Sequence, residues 1–122
     1  MNIEATIISN LLYNEEYARK VIVFLKDEYF MDATEKTVFG EIQKFYTKYN
    51  DVPSKEALQI SIEEREDISS TIYEEAEALI KDLGQTDSNK EWLLDETEKF
   101  CKDKAVYNAI MESIEIIDGK HK

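Results

Sequence analysis

The scarcity of residues that interrupt helices is the strongest constraint that this sequence places on the fold. Only three glycines and one proline occur among its 122 residues. Strands joined by tight turns need Gly, Pro and Asn-Gly pairs far more often than this. Apolar residues instead recur at helical spacing, as at Ile3, Ile7 and Leu11. The sequence therefore predicts an all-α fold.

Residues that can cap helix N-termini divide the first part of the chain into about five helices. The first helix is predicted over about residues 3–12, and Asn14, Asp32 and Ser54 can begin the next three. The fifth helix has three alternative caps, Ser69, Ser70 and Thr71, of which the last has capping-box spacing to an acidic residue. Residues 1–86 are therefore expected to form a compact helical body.

The sequence predicts the surroundings of three residues in this body. Phe24 is expected on the inward face of the second helix, and Tyr49 is expected to point inwards from the third. Gly40 falls inside the third helix, where a glycine costs about 1 kcal/mol relative to alanine. We therefore expect another helix to approach closely at this glycine.

The last predicted helix differs from the others in length. It should run from about Glu91 to Asp118, after a capping box that Ser88 begins. A helix of this length spans roughly 40 Å, which exceeds the usual three or four turns. Residues 87–118 are therefore predicted to project beyond the body, followed by a short tail, residues 119–122.

Apolar residues along this long helix approximate a heptad seam, although its middle is charged. An aromatic and aliphatic strip on a projecting helix indicates a protein interface. The interface candidates are Trp92, Leu93, Phe100, Tyr107, Ile110, Met111, Ile114 and Ile117.

The charge balance narrows the range of partners. The chain has 27 acidic and 15 basic residues, for a formal net charge of −12. A surface this acidic repels phosphate, so direct binding of nucleic acid or an anionic membrane by this segment is not expected.

No apolar stretch approaches the roughly 18 residues of a membrane span. A single cysteine, Cys101, suits a reducing compartment, so we expect a soluble intracellular protein.

The residue patterns predict no catalytic, metal or cofactor site. Clustered carboxylates, such as those of Glu74, Glu75 and Glu77, are typical of a solvated helix face, and the only histidine is His121 in the tail. Cys101 has acidic neighbours that disfavour a thiolate, so a packed cysteine is expected there. No Gly-rich loop ending in Lys-Ser or Lys-Thr is present to hold a nucleotide phosphate.

The order of several short motifs resembles the N-terminal domain of DnaB-family replicative helicases, in particular those of T-even-like bacteriophages. The resemblance rests on the order and spacing of these motifs together. The matching segments are Ile3–Leu12, Glu28-Tyr29-Phe30, Thr37-Val38-Phe39 with Ile42, Val52-Pro53-Ser54 with Ala57-Leu58, Trp92-Leu93 with Glu96–Phe100, Asn108-Ala109 and Ile114–Ile116.

This resemblance implies an assembly role. In that family a small helical body precedes a helical hairpin, hairpins of neighbouring subunits pair, and the domains form a collar on a hexameric ring that helps to engage primase. The long helix would be the first hairpin arm, and without the second arm the chain by itself is expected to be a monomer or a dimer. The RecA-like motor that binds ATP and Mg²⁺ would lie beyond Lys122, so we expect the chain itself to be no enzyme and to act in the cytoplasm of an infected bacterium.

Two other hypotheses remain open at this point. The net charge of −12 would suit a free-standing acidic helical phage protein that mimics DNA or inhibits a host protein. Paired carboxylates would suit an acidic helical enzyme, the least favoured of the three. The first predicts arrays of carboxylates at phosphate-like spacing, and the second predicts a stoichiometric metal ion.

Overall fold

A computed structural model describes residues 2–118 of the chain, and within this range the secondary structure is helical. The elements are α1 (Ile3–Tyr13), α2 (Glu15–Val21), a 3₁₀ turn (Asp27–Tyr29), α3 (Ala33–Tyr49), α4 (Lys55–Glu63), α5 (Ser70–Asp82) and α6 (Lys90–Ile117). The prediction of an all-α fold with about five helices and one long final helix is confirmed. The predicted tail, residues 119–122, lies outside the described residues.

Three of the predicted N-terminal caps are confirmed. The side-chain oxygens of Asn14, Asp32 and Ser54 accept hydrogen bonds from backbone N–H groups three residues later, at 3.0–3.1 Å. Each bond satisfies one of the N–H groups that a helix start leaves without an intrahelical partner. At its other end, α3 stops at Asn50, which adopts the left-handed conformation with φ 57°.

The cap of the fifth helix is one of the three that the sequence offered, whereas the cap of the last helix differs from the prediction. Ser69 caps α5, so the capping box of Thr71 is not used. Asn89 rather than Ser88 caps α6, and it accepts a hydrogen bond from the N–H of Trp92 at 2.9 Å. Several adjacent side chains can cap each of these helices, and the local sequence does not distinguish between them.

The core forms where α3 packs on α4 and α5, and where α1, α2 and the 3₁₀ turn pack on α6. Phe30 joins the two parts, since its ring stacks on Phe39 with centroids 4.8 Å apart and meets Phe100 at 5.4 Å. Offset and tilted aromatic pairs of this kind add to the free energy gained by burying the rings. The largest fully buried side chains are those of Phe30, Phe39, Ile7, Ile8, Leu11, Leu25, Ile42, Leu58, Ile62, Ile80, Leu93 and Val21.

Three expectations about the body are wrong. Phe24 is 40% exposed because α2 ends before it, and Tyr49 is 57% exposed in the last turn of α3. No atom lies within 4 Å of a Cβ built on Gly40, so the expected close approach of another helix is absent there. The face of α3 that carries Gly40 lines an open groove instead.

Candidate functional site

The first half of α6 is part of the core of the body. Leu93 and Phe100 are 1% and 6% exposed, and Thr97 and Cys101 are buried between them. Two of the eight interface candidates are therefore wrong as surface residues. Leu93 and Phe100 follow the heptad pattern, but α1, α2 and the 3₁₀ turn already cover this part of the helix.

A buried chain of hydrogen bonds fixes α6 against α2. The Thr97 hydroxyl donates to the Leu93 carbonyl oxygen at 2.8 Å, and its Oγ1 lies 2.6 Å from the Tyr17 hydroxyl. Because the Thr97 proton is committed to Leu93, Tyr17 donates to Thr97. Burial raises the pKa of Tyr17, which keeps the phenol protonated and able to donate. This chain sets the position and rotation of the long helix.

Two further contacts attach α6 and its preceding segment to the body. The Asn10 side chain donates from Nδ2 to Thr86 Oγ1 at 2.9 Å, which holds the segment before α6 on α1. Farther along, Asn108 Nδ2 donates to the Glu28 carbonyl oxygen at 3.1 Å. The contacts of the body with α6 thus reach as far as Asn108.

The second half of α6 exposes a set of apolar side chains, here called the α6 strip. Its members are 40–80% exposed within the described structure. They are Val106, Tyr107, Ile110, Met111, Ile114 and Ile117.

The α6 strip occupies a single face of the helix. With 3.6 residues per turn, its six members fall within an arc of about 140°, and the polar residues of these turns fall outside that arc. Other residues of α6, from Leu93 to Asn108, contact the body. On the same helical wheel, the mean direction of these residues differs by about 100° from the mean direction of the strip. The strip therefore does not continue the core-facing side of α6 but points sideways from it.

Trp92 stands apart from the α6 strip. Its side chain is 49% exposed, as a surface candidate should be. It precedes Val106 by roughly 20 Å along the helix axis. The charged residues Lys99 and Asp103 lie between them on that side of the helix. The structure therefore gathers five of the eight candidates on one face and leaves Trp92 separate.

The sequence-based candidate set omitted Val106, which is 59% exposed and belongs to the same face. It occupies a position that flanks the heptad seam and was omitted, although Trp92 and Met111, which also flank the seam, were included. A search for the 3.6-residue period of a straight helix would have found it. Ile116, 56% exposed, lies on the opposite face and is not part of the α6 strip.

Charged groups elsewhere form internal ion pairs. Arg65 donates to the buried carboxylate of Glu41 at 2.9 Å and to Asp67 at 2.8 Å. These hydrogen bonds hold the pKa of Asp67 at about 2, well below its usual range. Lys44 adds a contact with Glu41 at 3.4 Å. The groove beside these pairs, about 850 Å³ in volume, is lined mainly by polar and charged side chains.

The thiol of Cys101 and the carboxylate of Glu75 are the other groups whose surroundings bear on possible chemistry. Cys101 is buried, as expected, and burial together with Glu98 raises its thiol pKa to about 11. Glu75 accepts a hydrogen bond from the Thr34 hydroxyl at 2.7 Å.

Across residues 2–118, no group of three or more His, Cys, Asp or Glu side chains is arranged to hold a metal ion. Within the same range, none of the helices combines the length and apolarity needed to cross a membrane.

Comparison with known proteins agrees with the resemblance in the motifs. Residues 1–89 match the family model described as the DnaB-like helicase N terminal domain. The chain is also 33% identical, over 110 residues, to the DnaB-like replicative helicase of Enterobacteria phage T4. That alignment covers 90% of this chain, and hence part of α6, but 23% of the T4 protein. The chain therefore belongs to the DnaB-like helicase N-terminal domain family.

Proposed function

We propose that this chain is the N-terminal assembly domain of a phage replicative DNA helicase, and that the α6 strip holds neighbouring subunits together in the collar of a hexamer. The observation that carries the proposal is the strip itself. Six apolar side chains lie exposed on one face of a helix whose other half is fixed in the core. Clustered apolar exposure of this kind marks a surface that another protein covers.

The size of the α6 strip supports a specific but reversible contact. From the exposed fractions of its side chains, the strip presents apolar surface on the order of 600 Å² per copy. If every one of these side chains were covered, two copies would together bury at most roughly 1,200 Å², the lower limit for a stable protein interface. Such a contact associates weakly by itself and gains strength when a ring closes around several copies.

The net charge of −12 supports a role in protein contacts rather than in direct DNA contact. The proposal therefore assigns DNA binding, ATP and Mg²⁺ to a motor region of the parent helicase. It also assigns to this domain a contact with primase, which rests on the family resemblance. The site of action is then the cytoplasm of the infected bacterial host.

A pair of charge insertions on opposite faces of α6 tests the self-association. Ile110→Asp places a carboxylate in the α6 strip, whereas Ile116→Asp places one at a similarly exposed position outside it. We expect Ile110→Asp to raise the dissociation constant at least about 100-fold, because burial of an unpaired charge is strongly unfavourable. Ile116→Asp should change it by less than about threefold. Sedimentation equilibrium over a range of concentrations measures both.

Two results would count against this proposal. One is a chain that stays monomeric at every accessible concentration, and the other is an equal response to the two substitutions. Circular dichroism of each variant provides the control that the helices remain folded. The primase contact is tested separately by pull-down of the cognate phage primase with the folded chain, and failure to retain primase would remove that part of the proposal.

A further inference from the structure

Gly40 faces open space, and no packing contact of the described chain accounts for a glycine at this position. It lies inside α3, without the left-handed φ that favours glycine. A glycine inside a helix is less favourable than an alanine, and a Cβ built on Gly40 meets no atom within 4 Å. The missing side chain therefore does not serve packing within residues 2–118, but it deepens the groove beside α3.

This groove, here called the α3 groove, lies between α3 and the segment that ends α4. Lys36, Gly40 and Lys44 line it from α3, and Ser61 and Arg65 line it from the other side. Its volume of about 850 Å³ falls within the roughly 300–1,000 Å³ of clefts that bind ligands. None of its lining residues belongs to α6, so it is separate from the α6 strip.

One carboxylate in the α3 groove has hydrogen-bonding capacity that the chain does not use. The Glu41 side chain lines the groove and is only 6% exposed. Its contacts with Arg65 at 2.9 Å and Lys44 at 3.4 Å both involve Oε2, and within residues 2–118 its Oε1 accepts no hydrogen bond. A nearly buried acceptor without a donor is costly, and an N–H group of a bound molecule would satisfy it.

The unpaired charges of the α3 groove are mainly negative. Asp27, Glu64 and Glu66 contribute carboxylates and Lys36 contributes one ammonium, and none of the four forms an ion pair within residues 2–118. The other charged groups of the groove, which surround Arg65, compensate one another. This excess of carboxylates favours a positively charged occupant. A second copy of this chain, with a net charge of −12, does not fit that requirement.

We propose that the α3 groove binds a short basic segment of another protein in an extended conformation. The missing side chain at Gly40 lets the backbone of that segment approach α3 closely. A backbone N–H of the segment donates to Glu41 Oε1, and its basic side chains lie beside Glu64 and Glu66. This site goes beyond the assembly role and does not depend on self-association through the α6 strip.

A pair of synthetic peptides tests the chemistry of the occupant. The probe is a capped five-residue peptide that alternates glycine and arginine, and in the control peptide glutamine replaces both arginines. At about 0.15 M salt, where distant charges are screened, we expect the arginine peptide to bind with a Kd of about 1 mM or tighter. The glutamine peptide should bind at least about tenfold more weakly. Amide chemical shifts of the labelled chain measure both, with the largest changes expected at Thr37, Gly40 and Ser61.

The peptide result can contradict the proposal in three ways. The arginine peptide gives no saturable shifts, the shifts lie mainly in α6, or the glutamine peptide binds equally well. The first two results exclude the α3 groove as the site, and the third excludes a basic occupant.

Gly40→Leu separates a ligand site from a purely structural role. Leucine is a better helix former than glycine and has free space at this position, so the variant should need more urea to unfold. Because its side chain occupies the α3 groove, the Kd of the arginine peptide should rise at least about tenfold. A stabilised variant that binds the peptide as the wild type does overturns the proposal. A lower urea midpoint overturns it too, because the groove would then be filled by the chain itself.

Matched neutral substitutions separate the α3 groove from the general acidity of the chain. Glu64→Gln with Glu66→Gln removes two carboxylates at the groove, whereas Glu112→Gln with Glu115→Gln removes two exposed carboxylates from α6. The first pair should raise the Kd of the arginine peptide about fivefold, and the second should raise it less than about twofold. Equal effects would show non-specific attraction to an acidic surface and overturn the proposal. Sedimentation of the same variants tests the proposed self-association independently, because the groove substitutions leave the α6 strip unchanged.

Discussion

The two halves of α6 share one pattern of apolar residues and have opposite surroundings. Leu93 and Phe100 are 1% and 6% exposed, whereas Tyr107 and Ile114, which follow them at the same seven-residue spacing, are 46% and 43% exposed. The side chains are similarly apolar. The difference is that α1, α2 and the 3₁₀ turn lie beside the first half of the helix and do not cover the strip.

An apolar pattern therefore indicates that a helix face needs a partner. It does not indicate whether that partner belongs to the same chain or to another. In the first half of α6 the partner is the body of the same chain, with Phe30 in contact with Phe100. In the second half, among the described residues, the face is open to solvent. Burial within the chain stabilises the fold, whereas burial between chains stabilises an assembly, and substitutions should separate the two effects.

The largest expected difference between the halves is in folding stability. Phe100→Ala should lower the free energy of unfolding by about 3–5 kcal/mol, because it leaves a cavity beside Phe30. Ile110→Ala should lower it by less than about 0.5 kcal/mol in the monomer, because this side chain is already exposed. Urea unfolding at a concentration where the chain is monomeric measures both. Similar losses would mean that the second half of α6 is packed within the chain.

A smaller effect is expected from the hydroxyl of Thr97. Thr97→Val keeps the shape but leaves the buried Tyr17 hydroxyl without its acceptor, which should cost about 1–3 kcal/mol of unfolding free energy. Ser113→Ala, in the exposed half of the helix, should change it by less than about 0.5 kcal/mol. Urea unfolding of these variants, together with Tyr17→Phe and Tyr17→Phe/Thr97→Val, completes a double-mutant cycle. Strict additivity in that cycle would contradict the hydrogen bond.

The smallest effect concerns thiol reactivity in the two halves. Burial and Glu98 raise the pKa of Cys101 to about 11, so little thiolate is present near neutral pH. Near pH 8, iodoacetamide should label Cys101 more than about tenfold more slowly than an exposed cysteine introduced by Ala109→Cys. Mass spectrometry of the two peptides in one sample gives both rates. Equal rates would contradict the burial of Cys101.

The pH dependence of Cys101 has a definite sign. A folded-state pKa above that of the unfolded chain means that the folded protein holds this proton more tightly. The associated stability is present below the ordinary thiol pKa and is lost as the pH rises towards about 11. The labelling rates of the two cysteines should converge over that same range.

Much of the fold could be predicted because its signals are local. The N-terminal caps Asn14, Asp32 and Ser54 act within one helical turn, so the sequence shows them directly. The choice of Ser69 over Thr71 could not be predicted in this way. Both side chains can cap a helix, and the two starting points differ by no more than the one or two residues over which helix ends vary.

The membership of the exposed α6 strip was predicted in part, for a related reason. The spacing identified Tyr107, Ile110 and Ile114, but it also included Leu93 and Phe100, which the body covers. Residues far away in sequence decide which turns of α6 are covered, as when Tyr17 bonds Thr97 across 80 positions. A repeat along one helix contains no information about those distant residues.

The fixed first half of α6 also affects how the exposed half becomes helical. Starting a helix is unfavourable because several residues must be ordered before the first hydrogen bond forms, whereas each added residue then gains one bond. The exposed half has only about three turns, which would be marginal as a separate peptide in water. The body supplies the nucleus, anchored at Thr97 and Asn108, from which these turns propagate. The apolar face is thereby presented already ordered, and a partner that covers it does not have to offset the entropy of folding it.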